Sequence, residues 1–314
     1  MFGNVVDTHY IHDYKNLLTT RFYTLFQDIT YSVYHDAFGT YDFKPYVPVR
    51  FGIAGFYKWF GLGLSLGFPF TRNNYEKYVH SDIIDLRILA YSKIGTFECY
   101  YQKFKGFYIQ GVHGGDGTFY DLPDMTSISA GFVATYTYNF ARFSLRSAWI
   151  QNERQKHSAG SLLMRPSITY YQIRNDSVIL PSNEYEQVYI PDDRKIVRNE
   201  SWSFGLAPGY GYTFVFARYM YIHSSAFAGV NYQTSRYTSL SGTTYSGNDI
   251  VYSFLGRFSI GYNSDKWFIG GSYVFNFYEG LLSSKYVQSL YKLNQIRFWV
   301  GTRFNAFGKG KRKK

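Results

Sequence analysis

Long stretches of this sequence alternate strictly between a bulky apolar residue and a small or polar one. The clearest examples are segments 60–68, 127–138, 201–214 and 296–304. In the first, the bulky positions are Phe60, Leu62, Leu64, Leu66 and Phe68, and the positions between them are Gly61, Gly63, Ser65 and Gly67. Successive side chains of a β-strand point to opposite faces of the sheet. The alternation therefore predicts strands with one bulky apolar face and one small face.

The composition of the two faces distinguishes a membrane barrel from a soluble sheet. Aromatic residues make up 22% of the chain and charged residues only 18%. A soluble sheet carries Lys, Glu and Thr on its wet face, whereas the polar face here is mostly Gly, Ser, Thr and Ala. Large apolar residues outside and small residues inside are typical of a closed barrel in lipid.

Backbone hydrogen bonding leads to the same fold class. Inside a bilayer every N–H and C=O must pair within the protein, which only helices and closed barrels achieve. No window approaches the roughly 18–20 apolar residues of a membrane-spanning helix. We therefore predict an all-β, closed antiparallel transmembrane β-barrel, with a soluble β-protein as the alternative.

The strand count follows from the spacing of turns and polar loops. The pattern predicts strands near 18–35, 44–58, 60–68, 82–92, 96–109, 126–138, 142–152, 161–173, 201–213, 217–233, 249–262, 266–278 and 292–305. Bacterial single-chain barrels have even strand numbers, with short periplasmic turns and longer outer loops. This set is odd, so a further crossing is expected between residues 175 and 200. The prediction is about 14 strands, or 12 if two segments merge.

The chain divides into a barrel at residues 18–307 and two short flanks. Residues 1–17 are expected to form a periplasmic N-terminal segment, and residues 308–314 a basic periplasmic tail. The tail carries much of the formal net charge of +11, so the folded body is not basic enough to indicate nucleic-acid binding.

The residues after Met1 have no signal-peptide pattern, and we expect a mature chain whose signal has been removed. The single cysteine, Cys99, excludes an internal disulfide and a cysteine-based zinc site.

Residues 142–163 resemble an uncharacterised family of outer-membrane proteins from Bacteroidetes, domain of unknown function 4421. The most specific part is Gln155–Ser161. Further matching elements are Tyr57–Trp59, Lys105–Tyr108, Leu122–Met125 and Tyr138–Phe140. The resemblance runs from about residue 15 to the end of the chain. It implies a location in the bacterial outer membrane and a signal peptide, but no activity and no catalytic residues.

One connection contains residue types found in hydrolases. Glu153, His157, Ser158 and Ser161 lie close together in sequence, at a connection expected on the outer side. A base-activated serine is one interpretation. The alternative is a hairpin loop in which Ser158–Ser161 provides turn residues. The members of a triad usually meet through the fold, so we predict no catalytic residues here.

Other polar groups give weaker signals. His113–Gly117 resembles a phosphate or calcium loop, but it lacks the helix and the carboxylates that such loops use, and we expect a flexible outer loop. Asp121, Asp192 and Asp193 are too few carboxylates to indicate a calcium site. Among the histidines only His9 and His12 have a spacing that suits a metal. We expect neither a metal nor a cofactor.

Arginines on the small face carry the strongest functional signal. The strand phasing turns inward Arg50, Arg87, Arg142, Arg146, Arg257, Arg297 and Arg303, with Asp85 and Glu98 as candidate partners. The phasing of Arg142 and Arg146 assumes that Phe143, Leu145 and Trp149 face lipid. An arginine facing lipid at the bilayer midplane costs about 2–4 kcal/mol, which supports the inward assignment. The cluster either forms a constriction that favours anions or pairs with carboxylates and holds the barrel shut.

These features predict a non-enzymatic barrel that contacts outer-membrane lipid. The first hypothesis is a small-solute channel that favours anions, which needs an open, positive lumen. The second is an accessory subunit of an envelope complex, which predicts a filled lumen and a protein partner. A lipid or ester hydrolase is the third.

Overall fold

The alternating segments form the wall of a closed barrel. The computed structural model describes residues 6–35, 39–67, 81–113, 119–179, 192, 195–279 and 287–306. Twelve antiparallel strands close the ring through the pairing of β15 with β2. They are β2 (Leu18–His35), β4 (Arg50–Tyr57), β5 (Phe60–Gly67), β6 (Asp82–Tyr91), β7 (Gly95–His113), β8 (Phe119–Thr137), β10 (Ala159–Arg174), β11 (Ile196–Val215), β12 (Met220–Ser239), β13 (Thr244–Asn263), β14 (Trp267–Glu279) and β15 (Val287–Phe304). The predicted fold class is confirmed, with 12 strands in place of 14.

The bulky face of each strand points outward, as the alternation predicts. Leu62, Leu64 and Leu66 are exposed on β5, and Trp202, Phe204 and Leu206 on β11. The residues between them, such as Ser201 and Ser203, are buried in the lumen. The described part of the chain contains no helix long and apolar enough to cross a bilayer.

One predicted strand is wrong. Residues 142–152, expected to cross the membrane, instead form the short helix α1 (Leu145–Trp149) followed by a turn. With β9 (Glu153–Gln155) they belong to a segment, residues 138–158, that is largely buried in the lower lumen and is called the plug below. Phe143, Leu145 and Trp149 therefore do not face lipid: the first two are buried and Trp149 lines the interior.

Removing this strand from the predicted set leaves an even number of strands, so the further crossing expected between residues 175 and 200 is not needed. In that interval, the described residues 175–179, 192 and 195 are not strand, and residues 196–200 are the start of β11.

The wall is formed by different strands at its lower and upper ends. Most wall strands have 16–20 residues, but β4 and β5 have 8 and β6 has 10. Above them β3 (Gly39–Lys44) pairs with both β2 and β7. The strand predicted at 44–58 is interrupted at residues 45–49, where Pro45 and Pro48 cannot donate to a ladder. The ring thus passes through β4, β5 and β6 at the lower end and through β3 at the upper end. The lower end holds the first and last described residues and the short turns.

The lumen is filled at both ends. Buried residues fill the upper part, called the upper cluster: Ile29, Tyr31, Val33, Tyr41, Phe43, Phe104, Phe107, Ile109, Leu122, Met125, Ile173, Ile179, Val251, Tyr278 and Tyr291. The plug fills the lower part, where Phe143 and Leu145 pack on Leu163, Phe227 and Leu255. The N-terminal strand β1 (Ile11–Asp13) pairs with β9 of the plug. The basic tail predicted at residues 308–314 lies outside the described residues.

Candidate functional site

A cavity of about 240 Å³ lies between the plug and the upper cluster. Its wall is made by inward-facing residues of the barrel strands, and Leu145 and Trp149 of the plug form its floor. Five of the lining residues are arginines: Arg21, Arg87, Arg165, Arg257 and Arg297. Glu98 is the one carboxylate among the described lining residues. The cavity therefore carries an excess of positive charge.

Two carboxylates neutralise part of that charge on one side of the cavity. Arg87 Nε lies 3.0 Å from Asp85 Oδ1, and Arg87 Nη1 lies 3.2 Å from Glu98 Oε1. Asp85 also receives Arg50 Nη1 at 3.3 Å. Arg50, Asp85, Arg87 and Glu98 thus form one chain of alternating charge on β4, β6 and β7.

Three other cavity arginines face aromatic rings instead of carboxylates. The Arg257 guanidinium lies 5.4 Å from the Trp149 ring, that of Arg297 5.2 Å from Tyr23, and that of Arg165 6.0 Å from Phe227. Among the described residues none of the three has a carboxylate within salt-bridge distance. The buried Nε atoms of Arg257 and Arg297 have no hydrogen-bond acceptor there. A buried N–H without an acceptor is costly, so these groups are suited to hold an anion.

The plug is held by arginines of the wall and by its own ion pair. Arg21 Nη1 donates to the Trp149 carbonyl at 2.7 Å, and Arg303 Nε donates to the Gln151 carbonyl at 2.9 Å. Within the plug, Arg146 Nη1 pairs with Glu153 Oε1 at 3.1 Å. Burial raises the pKa of Glu153 despite the nearby Arg146 guanidinium. The plug is therefore held in a fixed position inside the lumen.

A single carboxylate at the lower end joins three segments. Asp265, in the turn between β13 and β14, accepts a 2.6 Å hydrogen bond from Tyr14 Oη. It also receives Arg154 Nη1 of β9 at 2.7 Å. The hydrogen bond from Tyr14 and the charge of Arg154 lower the pKa of Asp265. We call Tyr14, Arg154 and Asp265 the latch, because they fasten the N-terminal segment and the plug to the wall.

The predicted lumen residues fall into three places. Arg87, Glu98, Arg257 and Arg297 line the cavity, and Arg50 and Asp85 adjoin it. Arg303 lies lower in the lumen and binds the plug, and Arg146 is part of the plug itself.

The assignment of Arg142 to the lumen is wrong. Its side chain is 58% exposed at the lower end and lies 3.6 Å from Asp7. The physical reason is that residues 142–152 do not form a wall strand. The sequence prediction missed Arg21 and Arg165, although both follow the phasing of correctly placed strands and alternate with lipid-facing Phe22 and Met164.

The Ser, His and Glu group is at the lower end rather than on the outer side. Ser158 Oγ accepts from the Val215 N–H at 2.9 Å, and Ser161 Oγ donates to the Leu162 carbonyl at 2.7 Å. His157 stacks on His9 at 4.2 Å, and no described hydrogen bond joins its ring to either serine. Glu153 is bound by Ser144 and Arg146. The structure therefore gives each member a separate structural contact.

The remaining candidates are placed as follows. Residues 114–117 of the predicted glycine-rich loop and Asp193 lie outside the described residues. Asp192 pairs with Lys195 at 2.8 Å, and Asp121 is part of β8. No group of three or more His, Cys, Asp or Glu side chains in the described ranges is placed to hold a metal ion.

Comparison with known families assigns the chain. A family described as "Domain of unknown function (DUF4421)" matches residues 5–304. The chain belongs to this family. No curated protein matches the sequence. The Bacteroidetes origin suggested by the resemblance stays a prediction.

Solved outer-membrane barrels are similar to this DUF4421 chain over most of its length. The protease OmpT of Escherichia coli is 8% identical, covering 93% of this chain and 98% of its own, with a TM-score of 0.39. The translocator domain of the autotransporter NalP of Neisseria meningitidis is 10% identical, covering 92% and 89%, with a TM-score of 0.37. The outer-membrane protein OmpT of Vibrio cholerae is 10% identical, covering 91% and 98%, with a TM-score of 0.33. Similarity at this level transfers no activity to the DUF4421 chain.

Proposed function

We propose that this protein is an integral barrel of a bacterial outer membrane that binds a small anion in its lumen. One observation carries the proposal: five arginines and one carboxylate line a cavity inside the barrel. The cavity is smaller than the roughly 300–1,000 Å³ of sites for drug-sized ligands, so the ligand is a small anion or a small anionic head. An anion would supply the acceptors that Arg165, Arg257 and Arg297 lack.

A closed lumen favours binding over free diffusion. The small-solute channel predicted from the sequence needs a lumen open at both ends, whereas here the plug and the upper cluster fill both ends. Passage of a solute along the barrel axis would require the plug to leave. We therefore propose an anion-binding barrel whose ground state conducts no steady current in a planar bilayer.

Trp149 provides a direct test of anion binding. Its ring lies on the cavity floor under Arg257, so inorganic phosphate bound there should change its fluorescence. Arg165→Gln should weaken the phosphate affinity at least tenfold, because a charge-assisted hydrogen bond is worth about 1.5–3 kcal/mol. Arg236→Gln, on the exposed face of β12, is the matched control and should leave the affinity unchanged. The proposal fails if phosphate gives no response, or if Arg165→Gln and Arg236→Gln behave alike.

The filled lumen also favours the second hypothesis, an accessory subunit of an envelope complex. A barrel that serves as a scaffold needs no open path, and its lumen can be packed with structural groups. Purification of the full chain in mild detergent should then yield a stoichiometric partner. Phosphate binding at Trp149 with no partner would favour the anion-binding barrel alone.

A further inference from the structure

The barrel wall has a seam between β5 and β6. The ladder joining these strands has two residue pairs, Phe60 with Ala90 and Gly61 with Leu89. β5 pairs with β4 along its whole length, and β6 does the same with β7. In the described chain, Leu62–Gly67 and Ile83–Ile88 therefore each have a strand partner on one side only. In a bilayer such edges are avoided, because lipid cannot satisfy backbone N–H and C=O groups.

The outer rim of the seam is apolar. Extending the register of the two existing pairs would place Leu62 opposite Ile88, Leu64 opposite Leu86, and Leu66 opposite Ile84. All six side chains are exposed on the outer face of the wall, and Leu64 and Leu66 are more than 70% exposed. We expect lipid hydrocarbon chains to contact this rim, because it lies among the lipid-facing side chains of the barrel.

The inner rim of the seam carries small residues on β5 and charged residues on β6. The same register places Gly63 opposite Arg87 and Ser65 opposite Asp85. Gly63 has no side chain, so the space in front of Arg87 is not filled from β5. The Arg87 side chain lines the cavity and is 33% exposed, whereas that of Arg50 is 7% exposed. The seam therefore runs from a hydrocarbon environment directly to the positive cavity.

We propose that an anionic amphiphile, a single alkyl chain with a phosphate or carboxylate head, moves between the bilayer and the cavity through this seam. The head lies against Arg87 and the cavity arginines beyond it, and the alkyl chain lies between the Leu and Ile side chains of the rims. This inference rests on the proposed anion site and adds the class of ligand and its route. A lateral route needs no axial opening, which agrees with a lumen filled above and below.

The test closes the seam covalently. Leu64→Cys and Leu86→Cys are introduced together in a Cys99→Ser background, because Cys99 lies on the neighbouring strand β7. A short bismaleimide bridges the two thiols in the full chain, reconstituted in phosphatidylcholine vesicles. The matched control bridges Phe22→Cys and Ile53→Cys, which face lipid across the sealed ladder of β2 and β4. Ile53 pairs with Leu64, so both bridges lie at the same height.

Dodecyl phosphate is the probe, and the rate of the Trp149 fluorescence change is the measurement. We expect the β5–β6 bridge to slow the change at least tenfold and the β2–β4 bridge to leave it unaltered. Equal rates with both bridges would overturn the lateral route. Bridging of two copies through the single Leu64→Cys variant would also overturn it, because a second barrel would then cover the seam.

Inorganic phosphate separates the failure of this inference from that of the proposed function. Its equilibrium binding is measured on the unbridged double-cysteine variant. If phosphate binds and dodecyl phosphate does not, the anion site stands and the amphiphile is excluded. If neither binds, the proposed anion site itself fails.

Discussion

The role of each inward arginine is decided by its neighbours. Arg303 and Arg146 use their donors on backbone carbonyls and side chains of the lower lumen. Arg165 and Arg297 also point inward from the wall and lie beside aromatic rings, but no described hydrogen bond or ion pair uses their donors. Arg165 and Arg297 are therefore the residues suited to bind an anion, because their donors are not already used.

The latch at Asp265 should release the N-terminal segment in acid. Its carboxyl pKa is lowered from the ordinary 3.8 by the hydrogen bond from Tyr14 and by Arg154. A lowered pKa means that the latch stabilises the fold at neutral pH and loses this contribution as the pH falls through the folded value. Pepsin should therefore cut within residues 6–17 of the wild type more rapidly as the pH falls below about 4. The increase in cutting rate should be smaller in Asp265→Asn, with the intact barrel of each chain as the internal reference.

The control for this experiment is the barrel itself, whose electrophoretic mobility without boiling should be the same throughout the acid series. If Asp265→Asn shows the same acid-dependent increase in cleavage, the latch is not the titrating group.

The plug is the element that gives the lumen its lower boundary. Ser144 caps α1 by accepting from the Ser147 N–H, so a five-residue helix can form inside the barrel. Arg21 of the wall binds the Trp149 carbonyl at the end of this helix, and Arg303 binds the Gln151 carbonyl just after it. The result is a fixed floor for the cavity, built from a hairpin connection between β8 and β10.

Removing the plug should open the cavity from below. Asn139 N donates to Ser161 Oγ at 2.8 Å, so the two strands are already close there, and residues 140–160 can be replaced by an Asn-Gly turn. Ser272, which lines the cavity, is changed to Cys in a Cys99→Ser background as the reporter. A water-soluble thiol reagent should label it at least tenfold faster than in the chain with its plug. Equal rates would show that the plug does not close the lower end.

At the scale of the whole molecule, the closed ladder explains where the aromatic residues lie. The ring leaves the long strands without free edges, and its outer face exposes Phe, Tyr, Trp and Leu side chains to lipid. Opening the ring at any of its long ladders would break a continuous series of backbone hydrogen bonds. The barrel should therefore resist detergent until it is heated.

Electrophoresis without boiling tests this expectation. The folded full chain should migrate differently from the same sample after boiling in dodecyl sulfate, and the difference should be abolished by heat alone. A soluble β-protein of the same size would show one mobility before and after boiling.

The sequence by itself determined the fold class, the two faces of the strands and the inward arginines of the wall. Each of these follows from the period of two, which is a property of the local backbone and needs no knowledge of neighbouring strands. Arg87, Arg257 and Arg297 could be placed for this reason, and Arg21 and Arg165 carried the same signal.

Only the tertiary structure decided what fills the lumen and how the ring is closed. Residues 142–152 place apolar side chains much as a wall strand would, but partners for their backbone carbonyls come from Arg21, Arg303 and Asn263 of the interior. Likewise, nothing in the alternation of β5 and β6 indicates that their ladder ends after two pairs. Hydrogen-bond partners distant in sequence settle both features, and a local pattern does not specify which partner is within reach.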